Sequence, residues 1–161
     1  MTPRTTAILL AAAGALAYAV AKVDLALRGE LGMPGFTAPP ESYRTYNPLT
    51  GQLSNAALAL VLLVVIAGLL RPPQRPLLRH GLLGANVLGA LAIGAGVIGF
   101  VLRATGIAPQ LGTPAEGAAS WVTLLVGALW ICAWAVAIVT TARSRLPVTR
   151  DRRLAPTAPS G

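Results

Sequence analysis

The chain is poor in the residues that perform chemistry. Its 161 residues include one cysteine, Cys132, and one histidine, His80. A single thiol excludes an intramolecular disulfide framework and a Cys-x-x-Cys redox pair, and with them quinone-linked thiol oxidation of the four-helix kind. A single imidazole excludes a bis-histidine haem or a multi-histidine zinc site within one protomer, and no carboxylate cluster supplies the missing ligands. No metal and no cofactor is therefore expected. Acidic residues number 5, and Lys22 is the only lysine among 13 basic residues. Paired carboxylates and a Ser/His/Asp set are lacking too, so the expectation is a protein that is not an enzyme. The arginine-for-lysine bias, with heavy use of Ala, Gly and Pro, points to GC-rich coding and a bacterial origin.

What the chain has in quantity is apolar surface. Hydrophobic residues make up 55% of it, charged residues 11%, and the mean hydropathy is +0.67. This balance describes a membrane protein rather than a water-soluble globule. A bilayer core of about 30 Å needs roughly 20 mostly apolar residues per helix. Four stretches qualify: 6–27, 48–70, 81–102 and 118–141. The fold expected is all-α, a polytopic four-helix transmembrane bundle over residues 1–142, with an outer loop at 28–47. A basic, disordered cytoplasmic tail is expected at 143–161.

Several ends are legible. Asn47 before Pro48 offers an N-cap followed by proline at the first helical position. Pro72, Pro73 and Pro76 prevent continuation of the second span. Thr113 and Glu116 have capping-box spacing before the fourth, and Pro147 closes it. Orientation follows from the connections, because basic residues are retained in the cytoplasm. With both termini inside, that side holds Arg4, Arg71, Arg75, Arg79, Arg143, Arg145, Arg150, Arg152 and Arg153, opposed only by Asp151. Outside, Lys22, Arg28, Arg44 and Arg103 are balanced by Asp24, Glu30, Glu41 and Glu116. The topology expected is N-in/C-in, in a bacterial inner membrane. The first span has a second reading: a short basic start, an apolar run and Ala19-Val20-Ala21 resemble a secretory signal, whose cleavage would leave three spans. The weak n-region and the apolar residues resuming at Val23 favour a retained span.

Lipid tails are as apolar as leucine, so helices associate through close approach at small residues. Ala7, Ala11, Ala15 and Ala19 offer such a register on the first span. The third is richer, with Gly81, Gly84, Gly89, Gly94, Gly96 and Gly99. These two spans are expected at the centre of the contacts, and the second, leucine- and valine-rich nearly all round, is expected to face lipid. The outer loop, with Pro34, Pro39, Pro40, Phe36, Tyr43 and Tyr46, lacks strand or helix periodicity and can fold over a bundle mouth.

Ionisable groups inside a span are expensive, which singles out Lys22 and Asp24. At 100° per residue they point about 160° apart, while Asp24 and Arg28 at i,i+4 can pair. Lys22 is left either to snorkel towards the outer interface or to contact a ligand. Gln52, Asn55 and Ala59 lie on one line of the second helix, and together with Lys22 and Asp24 they would form a small polar cavity open to the outside. Lys22, Asp24, Gln52 and Asn55 are the candidate ligand-binding residues. Asn86 is expected to bond across a helix interface, Trp121 to sit in the aromatic belt, and Trp130 and Trp134 to share one face. His80 reads as a solvated flank. Arg143, Arg145, Arg150, Arg152 and Arg153 lie where anionic lipid head groups can be bound. No aromatic platform accompanies them, so nucleic acid is not expected as a partner.

Segment 18–36, with Lys22, Leu27, Gly29, Gly32, Pro34 and Gly35 leading from the first span into the outer loop, resembles that of small four-span bacterial integral membrane proteins of unknown function. In those proteins aromatic residues often follow the lysine, where this chain has Val23 and Asp24. The resemblance covers span layout and this junction and implies no activity. The function expected is a non-enzymatic accessory or interaction protein, or a small-ligand or lipid binder with an outward-facing polar pocket. Its partners would be the bilayer and a membrane protein or a second copy. A small-solute transporter or efflux component working as an oligomer is the alternative.

Overall fold

A computed structural model describes residues 1–115 and 117–144. Its order is α1 (Pro3–Arg28), β1 (Gly32–Met33), β2 (Phe36–Thr37), α2 (Ser42–Thr45), α3 (Pro48–Ala67), α4 (Pro76–Ala104) and α5 (Ala118–Arg143). Short 3-10 turns at Gly68–Leu70 and Pro109–Leu111 follow α3 and α4. Helix α1, α3 with its 3-10 extension, α4 and α5 are each long and apolar enough to cross a membrane.

Local signals set the helix ends. Thr2 caps α1 by accepting from the Thr5 amide, with proline at the first helical position. Gly29, at φ 69°, ends α1 in the left-handed conformation, and the Glu30 amide reaches back to the Leu25 carbonyl as in a Schellman motif. Asn47 caps α3 as expected, its side-chain oxygen 3.2 Å from the Thr50 amide. Pro76 opens α4 five residues before the expected start. Helix α5 starts with Gly117 at its N-cap, so the Thr113 capping box does not form the helix start; Glu116 lies outside the described residues. Pro147 and Arg145, Arg150, Arg152 and Arg153 lie outside them as well.

The N-terminal ends of α1 and α4 meet the C-terminal ends of α3 and α5, which makes the bundle up-down-up-down. Two arginines join these ends. Arg4 donates to the Leu69 carbonyl and the Thr141 hydroxyl, and Arg79 donates to the Thr141 carbonyl at 2.8 Å and to that of Ser144. A helix C-terminus leaves four carbonyls without intrahelical donors and carries partial negative charge, so a guanidinium there satisfies both. Residues that serve in the sequence as topology charges are thus helix-end staples in the fold.

Helix α1 is the hub, packed mainly on α3 and α5. Its alanine register is used as expected: Ala7, Ala11, Ala15 and Ala19 are all buried. Two expectations are corrected. Helix α3 does not face outward all round, because Gln52, Ala56, Ala59 and Ile66 form a buried stripe against α1. Helix α4 is the least buried of the four rather than central, and side chains added at Gly81, Gly84, Gly94, Gly96 or Gly99 would meet open space. Only Gly89 in this helix is closely approached, by the Trp134 ring and Leu62. Trp134 of α5 fills the space against Gly89, and the other glycines of α4 take no part in a close approach.

The connection 28–47 also departs from expectation, because it has regular structure. β1 and β2 pair antiparallel, Gly32 with Thr37 and Met33 with Phe36. Pro34 and Gly35 make the turn, with Gly35 at φ 78°, the arrangement a type II turn needs. The hairpin is held from outside itself. Ser120 and Thr123 of α5 donate to the Gly35 and Pro34 carbonyls at 2.7 and 2.9 Å. Phe36 is buried against Phe100, ring centroids 5.2 Å apart. Arg103, counted in the sequence as an outer loop charge, is buried: it donates to the Thr37 and Thr113 carbonyls and lies 5.5 Å from the Phe36 ring centroid.

Candidate functional site

Beneath the hairpin lies a cleft of about 660 Å³, in the range of small-molecule sites. Gly14, Tyr18 and Lys22 of α1, Gln52, Asn55 and Leu58 of α3, Ile93, Gly96 and Phe100 of α4, and Leu124 and Trp130 of α5 contribute to its walls. Its roof is Leu31 to Pro34, with Tyr46 beside them. From Lys22 to Gly14 it runs eight residues along α1, about 12 Å at helical rise.

The floor is built by tryptophans. Trp130 and Trp134 share a face as expected and stack at 6.0 Å with their planes 8° apart. Trp134 Nε1 donates to Asn86 Oδ1 at 2.9 Å, and Asn86 Nδ2 donates to the Val65 carbonyl at 3.1 Å. One buried amide therefore joins α5, α4 and α3, the interhelical role expected of it. Above this link α3 and α4 part. Their close approaches pair Gly68 with Leu82, Val65 with Asn86 and Leu62 with Gly89, whereas Asn55, Leu58, Ala92 and Gly96 beyond them line the cleft. The cleft therefore extends into the gap between α3 and α4. Trp130 is fitted against Gly14, where any side chain would collide with its ring, and its Nε1 is buried without a hydrogen-bond partner among the described residues.

Polarity is confined to the roofed end. Lys22 is only 5% exposed; its Nζ donates to the Gly32 carbonyl at 2.6 Å and lies 5.2 Å from the Tyr18 ring centroid. Snorkelling is thus not what it does: the stem folds under the hairpin. Gln52 donates to the Glu30 and Gly32 carbonyls at 2.9 and 3.2 Å, tying α3 to the same loop. Asn55 is exposed at the cleft wall with no hydrogen bond to a described residue, and Ala59 below is buried.

Three of the four candidate residues therefore meet, and Asp24 does not. It faces away from the cleft and pairs with Arg28 at 3.0 Å, both side chains more than half exposed. The helical angle of about 160° separates it from Lys22. Asp24→Asn is expected to change thermal stability by less than about 1 kcal/mol, as for exposed pairs generally, and to leave cleft occupancy unaltered. The cavity is also not the small polar one expected: its walls are mostly aliphatic and aromatic, polar only beneath the roof. Tyr43, expected in the lid, instead braces the loop by accepting from the Leu31 amide.

No protein-family model, curated protein or solved structure matches the chain.

Sequence reasoning missed Phe100 and Trp130 as cleft walls and Arg103 as the clamp of the roof. One signal was available: the chain has only two phenylalanines, Phe36 and Phe100, and both belong to the loop end. Among the described residues no group of three or more His, Cys, Asp or Glu can hold a metal ion. His80 and Trp121 are exposed, and Arg143 is exposed in the last turn of α5.

Proposed function

We propose that this chain is an integral membrane protein, N-in/C-in, that holds a lipid-like small molecule in the lateral cleft and acts as a binder or accessory protein rather than an enzyme. The observation that carries this is the cleft itself: mostly apolar walls, one polar end, and a gap between α3 and α4 that would open towards lipid in a membrane. A molecule with an apolar tail can enter through such an opening without crossing water, which suits ligand sites between the helices of bundles. The arginine distribution supports this orientation, with the roofed end on the outer side, and the arginine-for-lysine bias supports a bacterial membrane. Arg143, in the last turn of α5, then lies on the inner-leaflet side, where anionic head groups are available. The place of α1 at the hub of the bundle supports a retained first span. A solute carrier working as an oligomer has less behind it, because no described acidic side chain lines the cleft.

Gly96 lines the cleft, and a Cβ added there meets nothing within 4 Å, so Gly96→Phe is expected to place its ring in the cleft. Native mass spectrometry of the protein released from nanodiscs is expected to find a retained lipid or metabolite that Gly96→Phe loses. Gly94→Leu is the control, equally unobstructed but outside the cleft lining. Equal retention in all three proteins would sink the proposal.

A further inference from the structure

We propose that the occupant of the cleft is an amphiphile with an anionic head, a carboxylate or a phosphate, and that Lys22 supplies its counter-charge. This rests on the cleft being a ligand site.

The argument concerns what Lys22 has and what it lacks. An ammonium carries three donors. Among the described residues, Lys22 has one hydrogen-bond acceptor, the Gly32 carbonyl, and the Tyr18 ring nearby. That carbonyl is already shared, since Gln52 donates to it too, so both of its lone pairs are engaged. No described carboxylate stands opposite the ammonium. Asp24 is turned away and paired with Arg28, and Glu30 contributes its main-chain oxygen to Gln52. The α4 and α5 walls present aliphatic and aromatic groups, and Thr123 is committed to Pro34.

The other buried cations are treated differently. Arg79 and Arg103 each donate to two or more carbonyls, and each closes a structural joint. Neither lines the cleft. Lys22 does line it, at the end where an entering molecule would place its head. A buried charge without a counter-ion is costly, and an anionic head restores the balance with charge-assisted hydrogen bonds. Asn55, whose side chain has no hydrogen bond to a described residue, lines the same space and can donate a further bond to an anionic oxygen. The tail then follows the apolar wall towards Trp130.

The test uses the full chain in nanodiscs of zwitterionic lipid, offered equal amounts of palmitate, lysophosphatidate and uncharged monopalmitoylglycerol, with retention read by native mass spectrometry. Wild type is expected to retain at least one of the anions over the uncharged probe by about tenfold or more, as a direct ion contact in a low-dielectric site gives. Preference for palmitate alone names a carboxylate head, and preference for lysophosphatidate alone names a phosphate. Lys22→Met is expected to bring the ratio to about one while keeping the uncharged probe. Lys22→Gln does the same and retains a donor for Gly32, which guards against a variant that merely misfolds. Lys22→Arg keeps the preference. Equal retention of charged and uncharged probes by wild type overturns the assignment and leaves the cleft reading intact. A preference that survives in Lys22→Met or Lys22→Gln overturns it as well. Retention of no probe removes both.

Discussion

Replacing Trp134 by alanine is expected to lower the stability of the bundle by about 3–5 kcal/mol, the cost of deleting a large aromatic from a packed interior. The ring is fully buried and stacks on Trp130, and its far edge lies where a side chain on Gly89 would stand. Its Nε1 bonds the amide of Asn86, which itself holds the Val65 carbonyl. Alanine removes the ring that spaces α4 from α5 and leaves Asn86 Oδ1 without its donor. Trp134→Phe separates these effects by keeping most of the ring while losing the N–H. It should cost about 0.6 kcal/mol more than its packing change alone, the average for interhelical hydrogen bonds within membranes. Unfolding titrations in detergent micelles measure both. A Trp134→Ala protein within about 1 kcal/mol of wild type would mean that the floor of the cleft is held by something other than this ring.

The parts of this arrangement legible in the sequence are those decided within a few residues. Asn47-Pro48 caps α3, Asp24 reaches Arg28 one turn on, and Trp130 and Trp134 share a face, because helical geometry settles each without reference to the rest of the chain. The alanine register of α1 was legible for the same reason. The glycines of α4 show where such reasoning stops: small residues at four-residue spacing permit an approach but do not supply the helix that makes it. Only Gly89 meets close neighbours, the Trp134 ring of α5 and Leu62 of α3. Arginine counting has a related limit. It assigns a charge to one end of a span, yet Arg4, Arg79 and Arg103 turn back onto carbonyls that only the assembled bundle brings near. The hairpin was hidden because strands of two residues carry no period, and its support comes from Ser120 and Thr123, more than 80 residues away. Of the candidate residues, Lys22, Gln52 and Asn55, singled out by the cost of polar groups in a span, lie together along the cleft. The same cost singles out Asp24, whose helical angle turns it away from the cleft towards Arg28.

Gly35→Ala is the second substitution with a large expected effect, because two independent penalties fall on one residue. The backbone is left-handed at φ 78°, which costs an L-residue about 1–2 kcal/mol. In addition a Cβ there would stand 2.5 Å from the Ser120 amide nitrogen and 2.8 Å from its Cα. Those are backbone atoms of α5 and cannot rotate aside, so the hairpin must lift, at a further cost of about 1–3 kcal/mol. Lifting draws the Gly35 and Pro34 carbonyls from Ser120 and Thr123 and loosens Phe36 from Phe100. It also carries the Gly32 carbonyl away from Lys22 and Gln52, so the polar end of the cleft loses its roof. The expected result is a loss of about 2–5 kcal/mol in unfolding titrations together with loss of the retained amphiphile. Gly29→Ala isolates the first penalty, since Gly29 has a similar φ of 69° and nothing within 4 Å of an added Cβ. It should lose only about 1–2 kcal/mol and keep the ligand. If the two variants prove equally stable and equally loaded, the hairpin is not pinned to α5, and the cleft owes its shape to the four helices alone.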